Sequence, residues 1–134
     1  MAAIPYAALP IGTAVALELD LPLIYPRKEV KPHGTSRQIE GEYEAGDRAV
    51  VLDDLITTGG SKLAAIEPLE AAGLVVRDVV VLIDREQGGG ADLAEAGYQL
   101  HAVLRLSEML DLLAGAGRIS AEQRGEIAGA LWGA

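Results

Sequence analysis

Cysteine and phenylalanine are absent from this 134-residue chain, and aromatic residues make up only 4% of it. Without cysteine there is no disulfide, no thiolate chemistry and no zinc site built on sulfur. So few rings leave no aromatic array on which bases could stack. Positive charge is scarce as well: 11 Lys and Arg stand against 20 Asp and Glu, for a formal net charge of −9. That balance argues against sequence-independent nucleic-acid binding, which needs a surplus of cations. No apolar run is long enough to cross a bilayer. No basic stretch leads into an apolar one as a secretory signal would. The cytoplasm is therefore the expected address. There is no histidine-rich metal cluster and no defensible Ser-His-Asp spacing.

What is present is concentrated in residues 48–61, RAVVLDDLITTGGS. Val50, Val51 and Leu52 form a continuous apolar run, the pattern of a parallel strand covered on both faces. Asp53 and Asp54 follow at its carboxyl end, where open α/β sheets bind ligands. Thr57, Thr58, Gly59, Gly60 and Ser61 then supply hydroxyls and unobstructed N–H groups at a helix start. The first N–H groups of a helix lack internal partners and its dipole favours negative charge, so this turn is an anion site. Carboxylates for sugar hydroxyls beside a nest for phosphate suit a ribose phosphate. The acidic pair could also serve as ligands of a hard cation such as Mg²⁺, or be held by solvent alone. The turn is not a Walker A loop: no glycine lies five residues before Gly60, and Lys62 does not follow a glycine.

Along the rest of the chain the pattern alternates. Residues 5–18 read as a helix, with Pro10 expected to break or kink it. Residues 23–25 read as a short strand and 26–46 as a long loop with room for a small hairpin. Long loops in small domains tend to be functional lids or disordered. A strand at 49–52 is followed by a helix over about 62–72 that closes at Gly73 and contains Pro68, for which no function is evident. A fully buried strand is expected at 79–83, a short helix at 91–96, a strand at 100–104 and a helix from Ser107 through Leu113. Ser120 with Gln123 makes a capping box for a last helix to about Trp132. Four strands alternating with helices indicate one α/β domain over 1–134 with a mainly parallel sheet.

Basic residues gather locally: Arg27, Lys28, Lys31 and Arg37 share one short segment. Such a cluster on an acidic chain suits a small anionic ligand, although Glu29 and Glu40 also allow a solvated mixed-charge loop. Arg85, just after a buried strand, is either an anion clamp or a surface partner of Asp84 or Glu86. His33, between Pro32 and Gly34, suits a loop that moves, whereas His101 lies in an apolar strand and reads as a structural histidine.

Taken together, these segments resemble the orotate phosphoribosyltransferase family, especially the form found as a domain of bifunctional uridine monophosphate synthases. VVLDDLITTGGS is similar to the phosphoribosyl pyrophosphate (PRPP) signature of type I phosphoribosyltransferases, and YPRKEVKPHGTSRQIEG to the catalytic loop of the orotate enzymes. VLIDREQGG and YQLHAVLRLSEMLDLL also look like that family.

The resemblance implies a type I phosphoribosyltransferase fold, a mainly parallel sheet flanked by helices. It implies transfer of phosphoribosyl from PRPP to orotate, giving orotidine 5′-phosphate and pyrophosphate in pyrimidine (UMP) biosynthesis. Asp53 and Asp54 would hold the ribose hydroxyls. The signature from Leu55 and Ile56 through Thr57, Thr58, Gly59, Gly60 and Ser61 would bind PRPP, with its 5-phosphate against residues 57–61. Thr57 and Arg85 would contact orotate. Arg27, Lys28, Lys31 and His33 would close over the pyrophosphate. Lys31 and His33, with the acidic pair, are the implied catalytic groups. Mg²⁺ would be held mainly through PRPP and water rather than by direct protein ligands. A homodimer with shared active sites is implied.

Members of that family have a longer N-terminal part, comprising a hood over orotate, a first core strand and a lysine-bearing pyrophosphate loop. This sequence opens where that loop should end, so the hood and first core strand are expected to be missing. Weak or no activity of the isolated chain, exposed apolar surface and a tendency to associate follow as expectations. The alternative to an enzyme is a catalytically silent PRPP-binding or regulatory module of the same fold.

Overall fold

The computed structural model describes residues 1–27 and 38–133. Two valine-rich segments make its spine: β4 (Arg48–Ile56) and β5 (Val75–Asp84), paired in parallel. Around them, in chain order, lie β1 (Ala2–Ala3), α1 (Ala8–Leu19), β2 (Tyr25–Pro26), β3 (Ile39–Glu40), α2 (Gly60–Ala71), α3 (Gly89–Glu95), β6 (Gln99–Arg105), α4 (Leu106–Gly115) and α5 (Ala121–Trp132). The main sheet has four parallel strands in the order β1-β4-β5-β6, and β2 and β3 form a separate antiparallel pair. Strand alternation sorts the residues onto two faces. Val51, Val79 and Val81 are fully buried with Ile66 and Leu69 of α2 and Leu93 of α3. Leu52 and Ala3 point the other way, where α1 approaches so closely that a Cβ on Gly12 would lie 2.8 Å from the Ala3 Cβ.

Several expectations shift in the structure. The N-terminal core strand is not wholly missing: Ala2 and Ala3 pair with Val51 and Leu52. The first helix begins at Ala8, not at residue 5, so Pro10 falls in its first turn, where a missing N–H leaves no internal bond unmade. The strand expected at 23–25 is Tyr25–Pro26, and its pairing with Ile39–Glu40 supplies the small hairpin. β4 runs on to Ile56, so Asp53 and Asp54 stand inside the strand's last turns of pleat rather than after it.

Neither β4 nor β5 is buried on both faces throughout: Val50 is 41% exposed and Leu82 37%, and on β6 Val103 is 70% exposed. α1 packs mainly on β1 and β4, and along that face lies an apolar groove of about 600 Å³ lined by Ile11, Val15, Val50, Leu52, Leu82 and Val103. The Ser120–Gln123 capping box forms as read, each side chain bonding the other's backbone N–H at 3.0 and 2.8 Å. Among the described residues no helix is long and apolar enough to cross a membrane.

Candidate active site

The end of β4 and the start of α2 bring the signature residues together. Asp53 is buried and Asp54 half-buried at one wall of a cleft of about 590 Å³. Its other walls are the 4–7 segment after β1, Pro26 and Arg27 of the hairpin, and Ser61, Ala64, Ala65 and Pro68 on α2. Pro68, unexplained by sequence, therefore has a place. It has no N–H to offer the Ala64 carbonyl, and both residues line the cleft, so the missing bond falls on the cleft wall. A larger cleft of about 840 Å³ lies along β5 and β6, lined by Arg77, Asp78, Tyr98, Gln99 and Arg105 among others. It has neither the acidic pair nor Ser61, and chemistry rather than volume favours the smaller one.

Asp53 is held at both carboxylate oxygens. Its Oδ2 lies 2.7 Å from Lys62 Nζ, and its Oδ1 accepts the Asp54 N–H at 2.9 Å. Asp54 Oδ1 in turn accepts the Leu55 N–H at 2.9 Å. Burial is the largest influence on Asp53 and pushes its carboxyl above the usual carboxylate range. The Lys62 hydrogen bond, the Asp54 N–H and the Lys62 charge pull it back down without cancelling the effect.

The folded protein thus takes up this proton at a higher pH than the unfolded chain does. The resulting stability is fully present below the ordinary carboxylate value and is lost as pH rises through the raised one. Asp53→Asn cannot titrate, so thermal melts should show the difference between wild type and variant moving in the wild type's favour as pH is lowered through that window. A difference that stays flat, or moves the other way, contradicts the shift.

The turn after β4 is built for close approach. α2 begins at Gly60 with no cap from its own side chains and no acid in its first turn, so its first N–H groups and the positive end of its dipole face the turn. Thr58, Gly60 and Ser61 are exposed there. Gly59 is different: it is buried, and its N–H is already taken by Asp92 Oδ2 at 2.9 Å. A Cβ on Gly59 would lie 2.6 Å from the Asp92 Cβ. Asp92 of α3, which the sequence reading did not single out, therefore shapes the turn, and Gly59 is a packing residue more than a phosphate donor. No local motif marks an acid 33 positions away, so only the fold reveals it.

The orotate-assigned pair, Thr57 and Arg85, sits beside this turn but does not line the cleft. The Arg85 N–H bonds the Ile56 carbonyl at 3.0 Å, and the Thr57 carbonyl accepts the Gly89 N–H at 2.9 Å. The Arg85 carbonyl receives the Trp132 Nε1–H at 2.9 Å, so the C-terminal helix is tied to this loop. Trp132 is the only tryptophan in the chain. A ligand that engages Arg85 should therefore change the emission of Trp132 in a saturable way, and Arg85→Ala should abolish that change. Emission indifferent to saturating orotate with PRPP would contradict the assignment of Arg85.

Arg27 lies at the cleft rim, paired with Glu40, which is the mixed-charge arrangement the sequence left open. His101 bonds Asp78 across β5 and β6 at 2.9 Å, a structural role as read. Lys28, Lys31, His33 and Arg37 lie outside the described residues. Among the described residues no group of three or more His, Asp or Glu is placed to hold a metal ion. The donor set fits Mg²⁺ only as an ion carried largely by substrate oxygens and water, its usual habit.

A family model described as the phosphoribosyl transferase domain matches residues 1–97. The bifunctional enzyme PyrF/PyrE of Nostoc sp. is 50% identical over 123 residues, covering 92% of this chain and 26% of that protein. The structure of Leishmania donovani UMP synthase superposes with a TM-score of 0.87 at 44% identity, over 97% of this chain and 28% of that one. The Mycobacterium tuberculosis orotate phosphoribosyltransferase in complex with PRPP superposes with a TM-score of 0.67 at 26% identity, over 81% of this chain and 63% of that one. The chain thus spans about a quarter of the length of the bifunctional relatives it matches. With a matching model over most of its length and an acidic strand end feeding a glycine turn, the chain belongs to the phosphoribosyl transferase domain family.

Proposed function

We propose that this chain provides the PRPP-binding core of an orotate phosphoribosyltransferase, which forms orotidine 5′-phosphate and pyrophosphate in UMP synthesis. The observation that carries this reading is the junction of β4 and α2. A buried carboxylate and a more open one there face a cleft that reaches the first turn of α2 at Ser61. Asp54 is the freer acceptor for ribose hydroxyls, and Thr58, Gly60 and Ser61 are the groups left to receive the 5-phosphate. Arg85 and Thr57 adjoin them for orotate. The relatives named orotate phosphoribosyltransferase support the choice of base.

The chemistry asks for charge management. Breaking the bond between the anomeric carbon and pyrophosphate builds positive charge on the ribose and negative charge on the leaving group. Carboxylates beside the sugar suit the former, and Lys31, His33 and Arg27 suit the latter. When bound, Mg²⁺ would neutralise part of the pyrophosphate charge. A homodimer sharing sites and a cytoplasmic location belong to the same proposal.

Pyrophosphate release from PRPP tests it directly. Release that depends on orotate, and not on adenine or uracil, is the expected result. Release with a purine base would reassign the substrate. PRPP binding with indifference to orotate would point to a silent module.

A further inference from the structure

We propose that Lys62 is a positioning residue that locks the phosphoribosyl site by clamping Asp53, the Leu55 carbonyl and the Ser61 hydroxyl on a single buried ammonium. Lys62 is only 4% exposed although it carries a charge, in the first turn of α2. Its Nζ lies 2.7 Å from Asp53 Oδ2, 2.6 Å from the Leu55 carbonyl oxygen and 3.3 Å from Ser61 Oγ. An ammonium has three protons and no acceptor, so these partners use its whole capacity. The lysine therefore points into the fold and away from a bound phosphate, the opposite of a P-loop lysine.

The three partners lie on the two sides of one turn. Asp53 and Leu55 belong to β4 and Ser61 to α2, and the phosphate turn is suspended between them. Tying them together fixes the turn before any ligand arrives, which removes an ordering cost from binding. The clamp also sets hydrogen-bond direction. Ser61 accepts from Lys62, so its own hydroxyl proton is left to donate elsewhere, and the exposed side of that residue is where a phosphate oxygen would sit. Asp53 has one oxygen on Lys62 and the other on the Asp54 N–H, so its plane cannot turn and its remaining lone pairs keep a fixed aim.

A buried ion pair adds little to stability compared with apolar residues of the same volume. Its placement across the ligand turn gives it a reason to be there. The inference rests on the PRPP reading of the site, and the test separates the two. Calorimetric titration of PRPP with Mg²⁺ into wild type, Lys62→Met and Lys62→Arg is the experiment. Wild type should bind. Lys62→Met should weaken the Kd by about tenfold to a hundredfold, the usual effect of removing a group that orients a ligand-binding side chain. Lys62→Arg, which keeps charge and donors, should recover part of the loss. A folded Lys62→Met that binds PRPP as wild type does overturns the clamp and leaves the site reading intact. Wild type that does not bind PRPP overturns both.

Because Lys62→Met could unfold, a second measurement uses the unaltered chain. The proton–nitrogen resonance of the Lys62 ammonium should be protected from solvent exchange and should move when PRPP and Mg²⁺ saturate the site. A resonance in fast exchange, or one unmoved at saturation, contradicts the proposal.

Discussion

Asp53→Ala should destabilise the chain by about 3–5 kcal/mol, the cost of stranding one partner of a buried ion pair. Lys62 is 4% exposed and would be left as an ammonium without a counter-charge. A domain of this size is stable by only about 5–15 kcal/mol, so the variant should be close to unfolding. Asp54→Ala is the matched comparison. Asp54 is half-buried, and its side chain bonds the neighbouring Leu55 N–H and the Asp53 side chain without a buried counter-charge among the described residues, so its loss should cost about 1 kcal/mol. Urea midpoints for the two variants measure the gap directly. Both should lose PRPP affinity, and only Asp53→Ala should lose much of the fold. Equal midpoints would mean that the Asp53–Lys62 pair is not the buried contact described here.

Lys31→Ala should behave in the opposite way, with turnover falling by about a hundredfold or more and the urea midpoint barely moving. The figure is that of removing one group that stabilises charge developing in the transition state. The sequence places Lys31 within the basic segment that resembles a catalytic loop closing over pyrophosphate. A cation there would act on the leaving group. Orotate-dependent turnover of an active assembly, read beside its denaturation curve, distinguishes the two effects. Full turnover in the Lys31→Ala enzyme would remove Lys31 from the mechanism.

These contrasting effects mirror what the amino-acid order made legible. The β4–turn–α2 unit could be read because its chemistry is contiguous: an apolar run, two acids, then hydroxyls and glycines within residues 50–61. The capping box at Ser120 was equally local and formed as written. What depends on distant partners was not legible. Lys62 followed the motif in sequence but read as a helix residue, because nothing local says that its side chain turns back under β4. Asp92 and Trp132 reach the site from 33 and 47 positions away. Burial of β5 was misjudged for a related reason. An apolar run such as VVVLI looks the same whether one helix layer or two cover it, and here Leu82 lines an open groove and stays 37% exposed. Pro10 looks like a breaker in the sequence because nothing local marks Ala8 rather than residue 5 as the helix start, and position within the first turn decides whether a proline disrupts.

The most direct test of the account maps backbone amide shifts while PRPP and Mg²⁺ are added to the chain. The largest movements should fall on Asp54, Thr58, Gly60 and Ser61, with smaller ones on Gly59, whose N–H is already committed to Asp92. Movements centred instead on Arg77, Tyr98 and Gln99 along β5 and β6, or none at saturating ligand, would contradict it.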